Sequence, residues 1–220
     1  MPIFFQHQIN DTTRLGIWKI EETEQFFLSN VPLQKEVTHP HKRLQHLAGR
    51  FLLQFLFPDF PYDLIRIADT RKPYLPGEQY HFSISHCGDY AAAIVSSTWR
   101  VGIDIERSSP RIHVIAAKFL SGSEKKYFNS DNGLLMQQWG RRGKAETDFL
   151  TFVWSAKESI FKWYGIGQVD FSDHISLQGE ISIKDDGSIE MPFIFTKNGA
   201  QQLTIQGTFI ENLALTWVIS

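Results

Sequence analysis

Apolar positions along the chain change period several times, and each change predicts an element. THPHKRLQHLAGRFLLQFLF, residues 38–57, places Leu44, Leu47, Ala48, Phe51 and Phe55 at helical spacing. Thr38 is the predicted N-cap and Pro40 sits in the first turn. FPDFPYDL breaks that helix, and Pro73, Pro76 and Gly77 mark a loop. Residues 81–106 then switch to period two: HFSIS alternates, CGD turns, YAAAIVSS reads as a buried strand and VGIDIE closes the set. These three strands predict a small antiparallel sheet. Upstream, IFFQHQI and LGIWKI are short apolar segments and EETEQFFL a short helix.

After residue 107 the chain turns polar, then helical in RIHVIAAKFL, and Ser121 or Ser123 is placed to cap a further short helix in SGSEKKYF. DNGLLMQQWGRRGKAETDF reads as a mixed connection. FVWSAKESIFKWYG, residues 152–165, is a helix that stops at Gly165. Phe149, Val153, Ala156, Ile160 and Trp163 form one apolar stripe, and Trp154 and Phe161 a second. ISLQGEISI, SIEMPFIFT, QQLTIQGTF and NLALTWVIS are strands joined by DDG, KNG and EN turns. Each half of the chain thus supplies one long helix followed by several strands, an α+β class with halves 1–106 and 107–220. No repeat is visible by residue identity.

Composition narrows the function. The 220 residues are 42% hydrophobic, enough for a substantial core. A net charge of −2 gives no global attraction to nucleic acid or anionic membrane. The single cysteine, Cys87, excludes an internal disulfide and a multi-cysteine metal site. FLLQFLF is too short to span a bilayer, and MPIFFQHQIN lacks the basic start of a signal peptide, so the expected setting is the cytoplasm.

The candidate chemistry lies in charges within apolar segments. In VGIDIE, Asp104 and Glu106 alternate with Val101, Ile103 and Ile105, so both acids share a face roughly 6–7 Å apart along the strand. On the 152–165 helix, Glu158 and Lys162 are i and i+4 neighbours beside the second aromatic stripe. Three carboxylates without cysteine or a histidine cluster favour a hard, oxygen-liganded cation such as Mg²⁺. A simple ion pair on a helix and a solvated acidic strand end are the competing readings.

FSISHCGDYAAAIVSSTWRVGIDIE followed some fifty residues later by FVWSAKESIFKWYG resembles the paired signature of the 4′-phosphopantetheinyl transferases, in particular the larger, surfactin-synthetase-activating type. Weaker similarity extends through RKPYLP, KFLSGSEKKYF and GIGQVDF, covering roughly residues 40–175. The resemblance implies a monomeric pseudo-dimer of two similar α+β halves, each with a long helix on a small, mostly antiparallel sheet. It further implies coenzyme A in a cleft between them, with the N-terminal half on the nucleotide side. Such enzymes move the phosphopantetheine arm of coenzyme A to a serine of an apo acyl or peptidyl carrier protein and release adenosine 3′,5′-bisphosphate. By motif, Asp104, Glu106 and Glu158 would hold Mg²⁺, with Mn²⁺ as the alternative, and Glu158, or a water it orients, would take the serine proton. Lys157 and Lys162 would neutralise phosphate charge, Ser85 and His86 would contact the nucleotide phosphates, and Arg71 and Lys72 would border the adenine. Arg43 and Arg50, seven apart on one helix face, would serve the 3′-phosphate. Three positions depart from the family pattern: Ser83 stands for an asparagine, Cys87 for a small hydroxyl residue and Gln45 for an arginine. Residues 121–148, with Lys125, Lys126, Arg141, Arg142 and Lys144, are the expected docking surface for an acidic carrier. A different metal-dependent phosphodiesterase would use the same acids, and the altered Ser83, Cys87 and Gln45 also admit a non-catalytic carrier-binding homologue.

Overall fold

The structure, a computed structural model, describes residues 3–33, 37–128 and 145–220. The chain divides into two compact units, Met1–Ile105 and Glu106–Ser220. In the first unit, β1 (Ile3–Asn10) and β2 (Thr13–Lys19) form a hairpin, followed by the short α1 (Glu24–Leu28) and the long α2 (Pro40–Leu56). A single 3₁₀ turn at Tyr62–Leu64 leads to the two-residue strands β3 (Arg66–Ile67) and β4 (Pro73–Tyr74), then β5 (His81–Cys87), β6 (Tyr90–Ser96) and β7 (Val101–Arg107). The sheet runs β1-β2-β6-β5, antiparallel at each step. β6 sits inside it and is buried along its whole length, which is why YAAAIVSS is apolar without alternation.

α2 forms as predicted, with Leu47 and Ala48 of its stripe buried and Leu44, Phe51 and Phe55 packed partly buried against the core, while Leu52, Leu53 and Leu56, outside the predicted stripe, join Trp18, Phe27, Ala91, Ala93 and Val95 within it. Gly49 lets the helix approach the sheet, since a Cβ there would stand 2.6 Å from Ile84 Cγ2. Three expectations need correction. The N-cap is His39, not Thr38; its ring nitrogen accepts from the Lys42 N–H. The predicted Pro73 loop contains the small β3–β4 ladder. VGIDIE, which is β7, does not join β5 and β6 in one sheet; their sheet is completed by β2 and β1, and β7 heads the other sheet. The division between units falls within β7.

The second unit contains α3 (Ile112–Phe119), α4 (Gly122–Phe128), α5 (Ala145–Tyr164), α6 (Phe171–His174) and strands β8 (Ile175–Leu177), β9 (Ser182–Ile183), β10 (Ser188–Phe195), β11 (Gln201–Ile210) and β12 (Leu213–Ile219). The sheet order is β7-β12-β11-β10-β8, with β9 beside β10. Both long hairpins of this unit are antiparallel. β10 alternates half-buried and buried positions along its eight residues, the pattern SIEMPFIFT predicts. α5 begins at Ala145, earlier than the sequence pattern placed it, with Glu146 and Asp148 in its first turn favouring the positive end of the helix dipole. Its predicted stripe of Phe149, Val153, Ala156, Ile160 and Trp163 is buried. Gly207 on β11 admits the helix closely; a Cβ there would meet the Phe152 ring at 2.6 Å. α5 ends at Gly165, whose φ of 74° and N–H bond to the Phe161 carbonyl close the last turn.

Candidate functional site

Alternate residues of β5 present two buried hydroxyls, each 4% exposed, to β7. Ser83 Oγ accepts the backbone N–H of Ile103 at 3.2 Å, and Ser85 Oγ donates to Asp104 Oδ1 at 2.8 Å. Asp104 is itself only 2% exposed. Burying a carboxylate is unfavourable unless hydrogen bonds or a cation compensate it, so its depth sets it apart from an ordinary solvated acid. Glu106, two residues on and half-buried, accepts the Trp154 indole N–H at 3.2 Å. That indole packs against Phe119 at 5.3 Å and Phe171 at 5.4 Å between ring centroids, which fixes the donor.

The α5 motif divides its residues between two jobs. Ser155 and Ser159 face β12, where both hydroxyls meet Thr216 Oγ1, at 2.9 and 2.8 Å. Lys157 is fully buried, and here the structure corrects its implied role at the phosphates. Its ammonium donates to the carbonyls of Phe119, Phe171 and Ile175 and pairs with Glu124 Oε2 at 2.7 Å. Burial pushes this amine down, and the Glu124 carboxylate opposes the shift. Glu124 is 1% exposed and is held in turn by the Ser121 and Leu177 N–H groups. Ser121 Oγ accepts the Glu124 N–H, completing a reciprocal cap in which Ser121, rather than Ser123, caps α4. The S-x-x-E spacing of Ser121 and Glu124 was the signal for this pair. Glu158 and Lys162 remain on the half-buried face that Trp154 and Phe161 share.

The basic residues of the first unit separate similarly. Arg43 does not present an open guanidinium: Nε and Nη2 each donate at 2.8 Å to Glu24, and Nη1 donates to the Val37 carbonyl. That hydrogen-bonded Glu24 carboxylate raises the Arg43 pKa. In this structure Glu24 therefore occupies the guanidinium edge that the resemblance assigns to a 3′-phosphate. Arg50 is 5% exposed, and desolvation lowers its pKa, so it is not a solvated helix charge. Gln45, in the place of an expected arginine, donates to the Gly88 carbonyl, and His41 Nε2 lies 3.0 Å from Asp89 Oδ1, so α2 is fastened to the β5–β6 turn. His86 is exposed beside that turn. Arg71 is exposed with φ of 66° in the β3–β4 connection. Burial, with the Arg100 charge adding to it, pushes Lys72 down to about 8.

Among the described residues no three His, Cys, Asp or Glu side chains are gathered as a ready metal cage. The carboxylates of Asp104, Glu106 and Glu158 are oxygen donors, the chemistry that suits a hard cation such as Mg²⁺ or Mn²⁺. Of the basic residues expected to dock a carrier, Lys125 and Lys126 lie on α4, half-buried and exposed respectively; Arg141, Arg142 and Lys144 lie outside the described residues.

The family model of the 4′-phosphopantetheinyl transferase superfamily matches residues 100–218, more than half of the chain. The chain belongs to this superfamily. Among relatives, a 4′-phosphopantetheinyl transferase of Bacillus subtilis is 35% identical over 129 residues, 57% of this chain and 51% of the relative. Enterobactin synthase component D of Escherichia coli K12 is 34% identical over 125 residues, 55% and 54% of the two chains. An L-aminoadipate-semialdehyde dehydrogenase-phosphopantetheinyl transferase of Rattus norvegicus is 29% identical over 135 residues, covering 55% and 42%. The chain spans about half the length of the curated relatives it matches. The superfamily match includes β7 and α5, the two elements carrying Asp104, Glu106, Glu158 and Lys162. No helix among the described residues is long and apolar enough to cross a membrane.

Proposed function

We propose that this protein transfers the 4′-phosphopantetheine arm of coenzyme A to a serine hydroxyl of an apo carrier protein, acting as a cytoplasmic monomer. The observation that carries the reading is the sorting of the α5 motif. Lys157, Ser155 and Ser159 are bonded inside the fold, whereas Glu158 and Lys162, the other charges of the motif, lie on the half-buried face of the helix.

In this reading the carrier serine Oγ attacks the phosphorus bonded to the pantetheine oxygen. The new Oγ–P bond forms as the bond from that phosphorus to the bridging oxygen breaks, and adenosine 3′,5′-bisphosphate leaves with the electron pair. Glu158 takes the serine proton directly or orients the water that does; a positioned base of this kind contributes about 10²–10⁴ in rate. The Lys162 ammonium faces charge growing on the phosphate oxygens, where a fixed cation stabilises the transition state more than the ground state. Asp104, Glu106 and Glu158 would hold Mg²⁺ or Mn²⁺, which when bound neutralises pyrophosphate charge. On the nucleotide side Lys72, Arg71 and the exposed His86 are the residues proposed to meet coenzyme A, and Arg50 is proposed as a further, buried cation on that side. Lys125 and Lys126 are proposed to meet an acidic carrier surface.

Quantifying adenosine 3′,5′-bisphosphate with and without an apo carrier tests the reading. Release that requires the carrier supports transfer. Release from coenzyme A alone would make the protein a phosphodiesterase, and carrier binding without release would make it a non-catalytic homologue.

A further inference from the structure

Ser83 and Ser85 lie two residues apart on one face of β5, equally buried, yet their hydroxyls do different work. Ser83 accepts a backbone N–H and so fixes the main chain of β7 at Ile103. Ser85 bonds a carboxylate oxygen 2.8 Å away, and since an ionised carboxylate only accepts, the hydroxyl proton must come from Ser85. An aspartate side chain on a strand keeps rotational freedom about two bonds. A bond to Oδ1 fixes the plane of the carboxylate and therefore the direction in which Oδ2 is presented. With Asp104 2% exposed and Ser85 4% exposed, bulk water cannot easily replace the lost donor.

We infer that Ser85 is a positioning residue that orients Asp104 for a divalent cation, in place of the phosphate contact its motif implies. The inference rests on the proposed metal role of Asp104. Ser85 gives its one hydroxyl proton to Asp104, so the inferred role places the effect of losing Ser85 on cation affinity. Groups that orient a ligating carboxylate typically change metal affinity by about 10–100-fold when removed. Ser83, whose hydroxyl accepts the Ile103 N–H instead, separates this effect from general loosening of β5.

The test is a Mn²⁺ titration followed by electron paramagnetic resonance, at saturating coenzyme A, on the full chain and on Ser85→Ala, Ser85→Thr and Ser83→Ala. Metal-free coenzyme A affinity is measured alongside by calorimetry. Ser85→Ala is expected to weaken Mn²⁺ binding about tenfold or more, with metal-free coenzyme A affinity unchanged. Ser85→Thr, which restores the donor, recovers Mn²⁺ affinity, and Ser83→Ala keeps it. Equal Mn²⁺ affinity in Ser85→Ala and the unaltered protein overturns the inference while leaving the metal reading standing. Weaker coenzyme A binding with unaltered Mn²⁺ affinity also overturns it and returns Ser85 to the phosphates. Absence of Mn²⁺ binding by the unaltered protein refutes the metal reading itself.

Discussion

Replacing Lys157 by methionine should destabilise the fold far more than removing a surface lysine would. The substitution keeps the length of the side chain but deletes an ammonium that pairs with Glu124 at 2.7 Å and donates to the Phe119, Phe171 and Ile175 carbonyls. Glu124, 1% exposed, would then be a buried carboxylate without its cation. Breaking one side of a buried pair costs about 3–5 kcal/mol. The Ser121 and Leu177 N–H groups still bond Glu124, which favours the lower end of that range. Adding Glu124→Gln removes the stranded charge and keeps an acceptor for the cap, so the double variant should recover much of the loss and differ from the unaltered protein mainly by net hydrogen-bond losses of about 1 kcal/mol each. Urea denaturation of the four proteins in a double-mutant cycle gives the coupling. A Lys157→Met loss within about 1 kcal/mol, the worth of an exposed ion pair, or strict additivity of the two changes, would refute the assignment of Lys157 to a buried structural pair.

Other consequences follow from the same geometry. Lys72, pushed down to about 8 from an ordinary 10.5, loses its charge as pH rises through about 8. If it serves coenzyme A, affinity measured calorimetrically falls above that pH, and Lys72→Met removes the inflection. Between about 8 and 10.5 the unfolded chain binds more protons at this residue than the folded one, so its contribution to stability rises with pH across that window. Glu158→Gln should lower kcat for carrier modification by about 10²–10⁴ with an unchanged thermal midpoint; unaltered turnover would remove Glu158 from the mechanism. Charge reversal of Lys125 and Lys126 should raise KM for an acidic carrier, most strongly at low salt, and leave KM for coenzyme A unchanged. An unchanged carrier KM would exclude α4 from docking.

Local patterns carried the elements well because their causes are local. The spacing of Leu47, Ala48 and Phe51, the buried stripe of α5 and the glycine that ends it all reflect the geometry of one turn of helix. Partners distant in sequence were hidden for the same reason. Lys157 and Glu158 are neighbours about 100° apart on the helix, and periodicity alone cannot say which of them meets carbonyls 14 to 38 residues away. Glu24, 19 residues before Arg43, likewise claims a guanidinium that spacing alone left open. The place of β7 depends on β12, more than a hundred residues later, whereas its alternating acids were visible at once. The acidic first turn that starts α5 at Ala145 was legible, but the Gly and Arg residues before it made the stretch look like connection.

The central claim is group transfer, and intact mass spectrometry of an apo carrier tests it most directly. Carrier, coenzyme A and Mg²⁺ are incubated with the protein, with a chelator control and with Glu158→Gln. The account predicts that the carrier gains the mass of one phosphopantetheine arm, that chelation prevents the gain and that Glu158→Gln nearly abolishes it. Unmodified acyl and peptidyl carriers, in a mixture where coenzyme A still binds the protein, would contradict it.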